Sequence, residues 1–134
     1  MDELAVRFVA ERFVTFLEQG TPPADLFAED VFCDFTMPLW RLQAHGLDAV
    51  VELRRRSHPW PGEVARSRCD VTPTGFVIEL EERWDGDGQR WYCREMARAD
   101  LAGGLISELS VYCTGDWDDA LQTRHAAEVA LLRP

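Results

Sequence analysis

A lone carboxylate stands in an otherwise apolar row of this sequence. Side chains alternate over residues 89–99, with Trp91, Cys93, Glu95, Ala97 and Ala99 on one face and Tyr92, Arg94, Met96 and Arg98 on the other. A second acid, Asp34, lies in the extended run 31–37, where Phe32, Asp34 and Thr36 share one side and Val31, Cys33 and Phe35 the other. If the Phe32 side faces inward, both acids meet in one interior. Burial disfavours a charged carboxylate and raises its pKa, more so beside a second carboxylate. Two carboxyls with separated pKa values can then divide acid/base work. Asp34 would stay ionised as general base, and Glu95 would keep its proton as acid or hydrogen-bond donor to a developing oxyanion. The plainer alternative is that either acid caps a loop or pairs with an arginine such as Arg41, Arg66 or Arg68.

Other residue types add to the candidate set. His45, between a short extended piece and Gly46, is placed to act as an acid/base partner at a pocket mouth. Trp40, Trp60 and Trp91 can wall a flat ligand. Phe13 on the first helix and Cys93, Val111 and Cys113 on the later strands supply the rest of a lining. His58 and His125 fall in a proline-rich connector and a terminal helix, which suggests surface roles. The four cysteines lie far apart in strand-like runs, with no CxxC pair or His at ligand spacing, and read as reduced core residues. No metal site is expected, and no phosphate-binding loop, HExxH or nucleophile elbow occurs.

The elements that must position these groups divide the chain in two. Residues 3–19 carry Val6, Val9, Ala10, Phe13, Phe16 and Leu17 at helical spacing, and Gly20 stops the helix. Thr21 followed by Pro22 predicts a short helix through Ala28. Residues 31–37 and 41–45 read as extended. Gly46-Leu47-Asp48 opens a third helix to about Arg56, whose Arg54-Arg55-Arg56 end reads as a solvated terminus complementing the helix dipole. The 58–62 segment, with prolines at 59 and 61, reads as a rigid connector.

From there the period becomes two, and 63–72, 75–84, 89–99 and 105–114 read as strands. Short glycine-containing joins make them consecutive hairpins of an antiparallel sheet. On 75–84 the apolar face of Phe76, Ile78, Leu80 and Trp84 is interrupted only by Glu82. Asp116 is read as capping a last helix from Trp117 to about Val129. The predicted class is α+β, with three N-terminal helices on a strongly bent sheet and a short C-terminal helix. Such a sheet wraps the first helix and leaves an open cone, which is a pocket.

Length and charge bound the function. With 134 residues the chain is expected to be a single domain spanning 1–134. A net charge of −10 disfavours nucleic acid and anionic membrane surfaces as partners, since both are bound mainly through basic residues. The N-terminus has no signal-peptide pattern, so the expected compartment is the cytoplasm.

Several stretches resemble the nuclear-transport-factor-2-like superfamily and, within it, the SnoaL-like and ketosteroid-isomerase-like members. They are Phe13 to Gly20, Leu26-Phe27-Ala28-Glu29-Asp30-Val31-Phe32, Gly46-Leu47-Asp48-Ala49-Val50 and Leu105 to Tyr112. The resemblance implies a cystatin-like cone, often dimeric through the outer sheet face. It also implies isomerase- or cyclase-type chemistry on a small, largely apolar carbonyl compound, with no cofactor. The isomerase pattern puts the base on Asp34 and the oxyanion-stabilising acid on Glu95, as the alternation did, while Phe13 stands where a tyrosine is expected. The epoxide-hydrolase arrangement is not matched, because Cys93 and Val111 occupy positions that would need Arg and Asp. A non-catalytic ligand-binding protein using the same cone is the competing reading, and a protein-binding scaffold is a third.

Overall fold

Asp2 begins the first helix, its carboxylate accepting the Leu4 N–H at 3.1 Å, and Gly20 ends it in the left-handed conformation at φ 78°. The computed structural model describes residues 2–134. The first helix, α1 (Glu3–Gln19), buries the periodic stripe Val6, Val9, Ala10, Phe13, Phe16 and Leu17.

The helix expected over 21–28 does not form. Pro23 pushes Pro22 out of the helical region, Asp25 adopts φ 61°, and the buried Leu26 carbonyl accepts the Ile106 N–H at 2.9 Å. The chain therefore enters the sheet early. The first strand, β1 (Phe27–Met37), turns into β2 (Trp40–His45), and α2 (Leu47–Ser57) follows. Two helices, not three, precede the long strands β3 (Gly62–Val71), β4 (Gly75–Gly86), β5 (Gln89–Ala102) and β6 (Leu105–Cys113). The last helix, α3 (Asp119–Glu128), is capped by Asp118, which accepts the Leu121 N–H at 2.9 Å. Asp116, the expected cap, is left free for another role, because an isolated bridge between Tyr92 and Trp117 extends the sheet past it.

All six strands form one sheet in the order β2-β1-β6-β5-β4-β3. The β3 to β6 meander is antiparallel, as the glycine-containing turns predict. The pairing of β1 with β6 is parallel, with Cys33 beside Leu109 and Phe35 beside Val111. It bridges the two halves of the chain and fixes which face of β1 is inside. The core packs α1 against the concave face through contacts such as Phe13–Phe76, ring centres 6.2 Å apart, and Phe16–Phe27, edge-on at 5.1 Å. Among the described residues no helix is long and apolar enough to cross a membrane.

Candidate functional site

At one end of the cone, α1, α2 and the concave sheet face enclose a cavity of about 210 Å³. Its walls are apolar: Phe13, Phe16 and Leu17 from α1, Cys33, Phe35 and Met37 from β1, and Leu109 and Val111 from β6. Into these walls project Arg54, His58, Glu95, Cys113 and Asp116.

Glu95 is where the alternation of β5 puts it, on the inner face and only 6% exposed. Its neighbour in that row, Cys93, is fully buried behind it, with Sγ 3.4 Å from Glu95 Oε1. Glu82, the interruption in the apolar row of β4, is 2% exposed. It is held by Arg54 through Nη2–Oε1 at 2.5 Å and Nη1–Oε2 at 3.2 Å, while the same Nη2 also donates to the Leu17 carbonyl at 2.6 Å. This corrects the reading of the arginine triplet. Arg55 and Arg56 are exposed and pair with Glu52, but Arg54 lies one turn beyond the buried Val50 and so on the inward stripe.

The electrostatics follow from this arrangement. Burial pushes Glu82 up, but the charge and hydrogen bonds of Arg54 outweigh it and hold Glu82 below the usual carboxylate range. Glu95 is raised well above that range, first by burial, then by the charge of Glu82, with which it also shares a hydrogen bond. The charged form is favoured at Glu82, which is paired with Arg54, and the protonated form at Glu95. Asp116 is raised too, by burial and then by Glu82.

His58 does not lie at the surface. It is 7% exposed, its ring lies against Trp84 with centres 3.8 Å apart, and burial followed by the Arg54 charge depresses its pKa to about 4. Both ring nitrogens are buried without a hydrogen-bond partner. The imidazole is thus neutral near pH 7 and free to bond a ligand.

Several residues expected in the site lie elsewhere. The parallel pairing with β6 turns Val31, Cys33 and Phe35 inward, so Asp34 faces out and binds Arg41 through Nε–Oδ1 at 2.8 Å. The hydrogen bonds from Arg41 lower its pKa. Asp34 therefore cannot act as a base within the cavity. His45 pairs in register with Phe32, on that same outer side, and is exposed. Trp40 is 65% exposed and outside the lining. Trp60 packs over Gly86, where a Cβ would come within 2.6 Å of its ring. Trp91 stacks on Trp84 and donates its indole N–H to the Gly86 carbonyl at 2.9 Å. Of the expected residues, Phe13, Glu95, Val111 and Cys113 do line the cavity.

Cys93, Glu95 and Cys113 bring one donor atom each within 4.8 Å of one another, a spacing a thiophilic cation could use. Within that cluster the Cys93 thiol donates to Glu95, Sγ–Oε1 3.4 Å, and the nearby Arg54 is paired with Glu82.

No protein-family model matches the sequence, and a comparison with curated proteins found no match. Solved structures do share its architecture. A nuclear-transport-factor-2-like protein from Anabaena variabilis superposes with a TM-score of 0.70 at 19% identity, over 84% of this chain and 89% of that one. A candidate polyketide cyclase from Xanthomonas campestris gives 0.63 at 16%, over 81% and 90%. A protein with a ketosteroid-isomerase-like fold from Catenulispora acidiphila, solved with trimethylamine, gives 0.62 at 11%, over 79% and 85%. The α+β architecture, the curved six-stranded sheet and these superpositions agree: the chain has the nuclear-transport-factor-2-like fold.

Proposed function

We propose that the cone binds a small, neutral, largely apolar carbonyl compound and moves a proton on it without a cofactor, as an isomerase or a cyclase would. The observation that carries this is Glu95, buried at the wall of an apolar cavity, where burial and the neighbouring Glu82 favour its protonated form. A carbonyl oxygen at that wall competes with Glu82 for the Glu95 proton. Glu82 gives it up at little cost, because Arg54 already satisfies both of its oxygens. A hydrogen bond of this kind strengthens as negative charge develops on the oxygen, which is what accelerates enolisation. The base role assigned to Asp34 passes to Asp116, which lines the same cavity and whose raised pKa brings a carboxylate nearer to useful basicity.

Arg54 being consumed by Glu82, the cavity offers no spare cation, which favours a neutral ligand over a carboxylate or phosphate. The fold shared with a candidate cyclase and an isomerase-like protein is consistent with this chemistry but does not assign it. Carbon-13 NMR of the Glu95 carboxyl tests the reading. A midpoint in the ordinary glutamate range would sink it, and a midpoint well above that range, together with loss of enolisation of a bound ketone in Glu95→Gln, would support it.

A second reading, binding without turnover, is favoured by His58. Two buried and unpartnered nitrogens suit a ligand held by hydrogen bonds. Deuterium exchange at the α-carbon of a bound ketone separates the two, since a pure binder leaves that rate unchanged. For the assembly we propose a homodimer through the outer sheet face, where the exposed Met96 and Tyr112 stand opposite each other. Light scattering tests it.

A further inference from the structure

The free cysteines do not share one environment. Cys93 is fully buried, and Cys69 lies on β3 away from the cavity. Cys33 and Cys113 both line the cavity, and they differ in what surrounds the sulfur. Burial, then the charge of Asp34, pushes the Cys33 thiol up to about 12, which keeps it protonated and unreactive. At Cys113, the chain leaves β6 and turns at Gly115, φ 82°, so that the Gly115 N–H comes back onto Sγ at 3.3 Å. The Cys93 thiol lies within 4.8 Å of the same sulfur. Cys113 thus has a backbone donor where Cys33 has none, and the neighbouring Cys93 and this N–H lower its pKa against the opposing effect of burial.

The proton donor of the cavity is close by. Cys113 Sγ lies within 4.8 Å of a Glu95 carboxylate oxygen. That separation can be straddled by a conjugated C=C–C=O unit whose oxygen meets Glu95 and whose far carbon meets the sulfur. We propose that Cys113 is a covalent attachment site for small α,β-unsaturated carbonyl compounds, with Glu95 as the hydrogen-bond donor to their oxygen. This rests on the reading of Glu95 as a donor to a bound carbonyl, and it adds a nucleophile and a substrate class to that site.

The addition balances without an oxidant, a leaving group or a metal. Cys113 releases its proton to solvent through the cavity mouth, and a sulfur lone pair forms the S–C bond to the β-carbon. The C=C π pair moves toward the carbonyl, producing an enolate oxygen held by Glu95. A proton taken up at the α-carbon then restores the C=O. The net change is addition of S–H across C=C, and loss of the α-proton reverses it. The apolar walls suit the hydrocarbon part of the electrophile, and the volume of about 210 Å³ limits it to a small one.

Cyclohex-2-enone is a suitable probe, read by intact mass and peptide mapping of the full chain. The expected result is one adduct, on Cys113, with Cys33 and Cys69 unlabelled at the same exposure and no adduct in Cys113→Ala. Glu95→Gln should slow the enone adduct by on the order of a hundredfold. It should leave labelling of Cys113 by methyl methanethiosulfonate unchanged, because that reagent presents no enolate oxygen to stabilise. Circular dichroism confirms that each variant is folded. Equal labelling of Cys33 or Cys69, or no enone adduct at Cys113, overturns the proposal. In the latter case an elevated Glu95 midpoint would leave the carbonyl reading of the cavity standing. An adduct at Cys113 that forms equally fast in Glu95→Gln overturns the role of Glu95, and with it the reading on which the proposal rests.

Discussion

Arg54 of α2 and Glu82 of β4 meet inside the core through two hydrogen bonds, at 2.5 and 3.2 Å. Their pairing decides the chemistry of the cavity. It favours the ionised form of Glu82 and occupies Arg54, the one arginine or lysine among the described residues lining the cavity, and the negative charge beside Glu95 favours the protonated form of that group.

Breaking the pair from one side should be costly. Arg54→Met leaves Glu82 buried without its partner and should lose about 3–5 kcal/mol of stability in urea denaturation. Arg54→Met with Glu82→Leu removes both charges and should recover most of that loss. Equal losses in the single and double variants would contradict this account.

Glu95 sets a slope on the alkaline side. Its folded pKa lies above the unfolded value, so its contribution is full below about pH 4.5 and declines as pH rises toward the folded pKa. Thermal melting between pH 4.5 and 8 should show the wild type losing stability relative to Glu95→Gln as pH rises. The Glu82 contribution has the opposite sign and is lost as pH falls below about 4.5.

His58 sets the acid limb. Its pKa falls from 6.5 in the unfolded chain to about 4 in the fold, so the unfolded state takes up a proton that the folded state refuses. Stability should decline from pH 6.5 to about 4, by about 3 kcal/mol at most. In His58→Phe, which keeps an aromatic ring against Trp84, that part of the pH dependence should vanish from the denaturation curves.

Ligand binding should separate the inner acid from the outer one. Asp34→Asn should leave the affinity for a neutral cyclic ketone unchanged in ligand-observed NMR, and Glu95→Gln should weaken it. Val111→Trp, which fills the cavity, should abolish it. An effect of Asp34→Asn as large as that of Glu95→Gln would mean that β1 faces the other way.

Glu95 was legible from alternation because β5 is long and its inner row is otherwise small or apolar. Asp34 was misread because alternation sorts a strand into two faces without saying which is inside. The wholly apolar side, Val31-Cys33-Phe35, was the better indicator. Arg54 carried a usable signal, standing four residues after Val50 on the same helical stripe, and Glu82 was visible as the one acid in an apolar row. Their pairing was not visible, since nothing local links α2 to β4. The proline-rich connector suggests a surface place for His58, whereas it folds over Trp84 and buries the ring. The order of the last four strands could be read from their turns. The parallel joining of β1 to β6 could not, because no turn connects them.

That joining also governs when the cavity comes into existence. The β1–β2 hairpin is synthesised early, yet its inner face has no partner until β6 has been made. Contacts so distant in sequence form slowly, because the intervening chain must first give up its freedom. A nascent chain halted before residue 105 would hold Phe35 and Arg54 but neither Val111 nor Cys113, and so no closed site. The same geometry suits a split reporter: halves divided at the exposed Gly103-Gly104 turn would regain ketone binding only on reassembly, with the second half contributing both β6 and the Cys113 thiol.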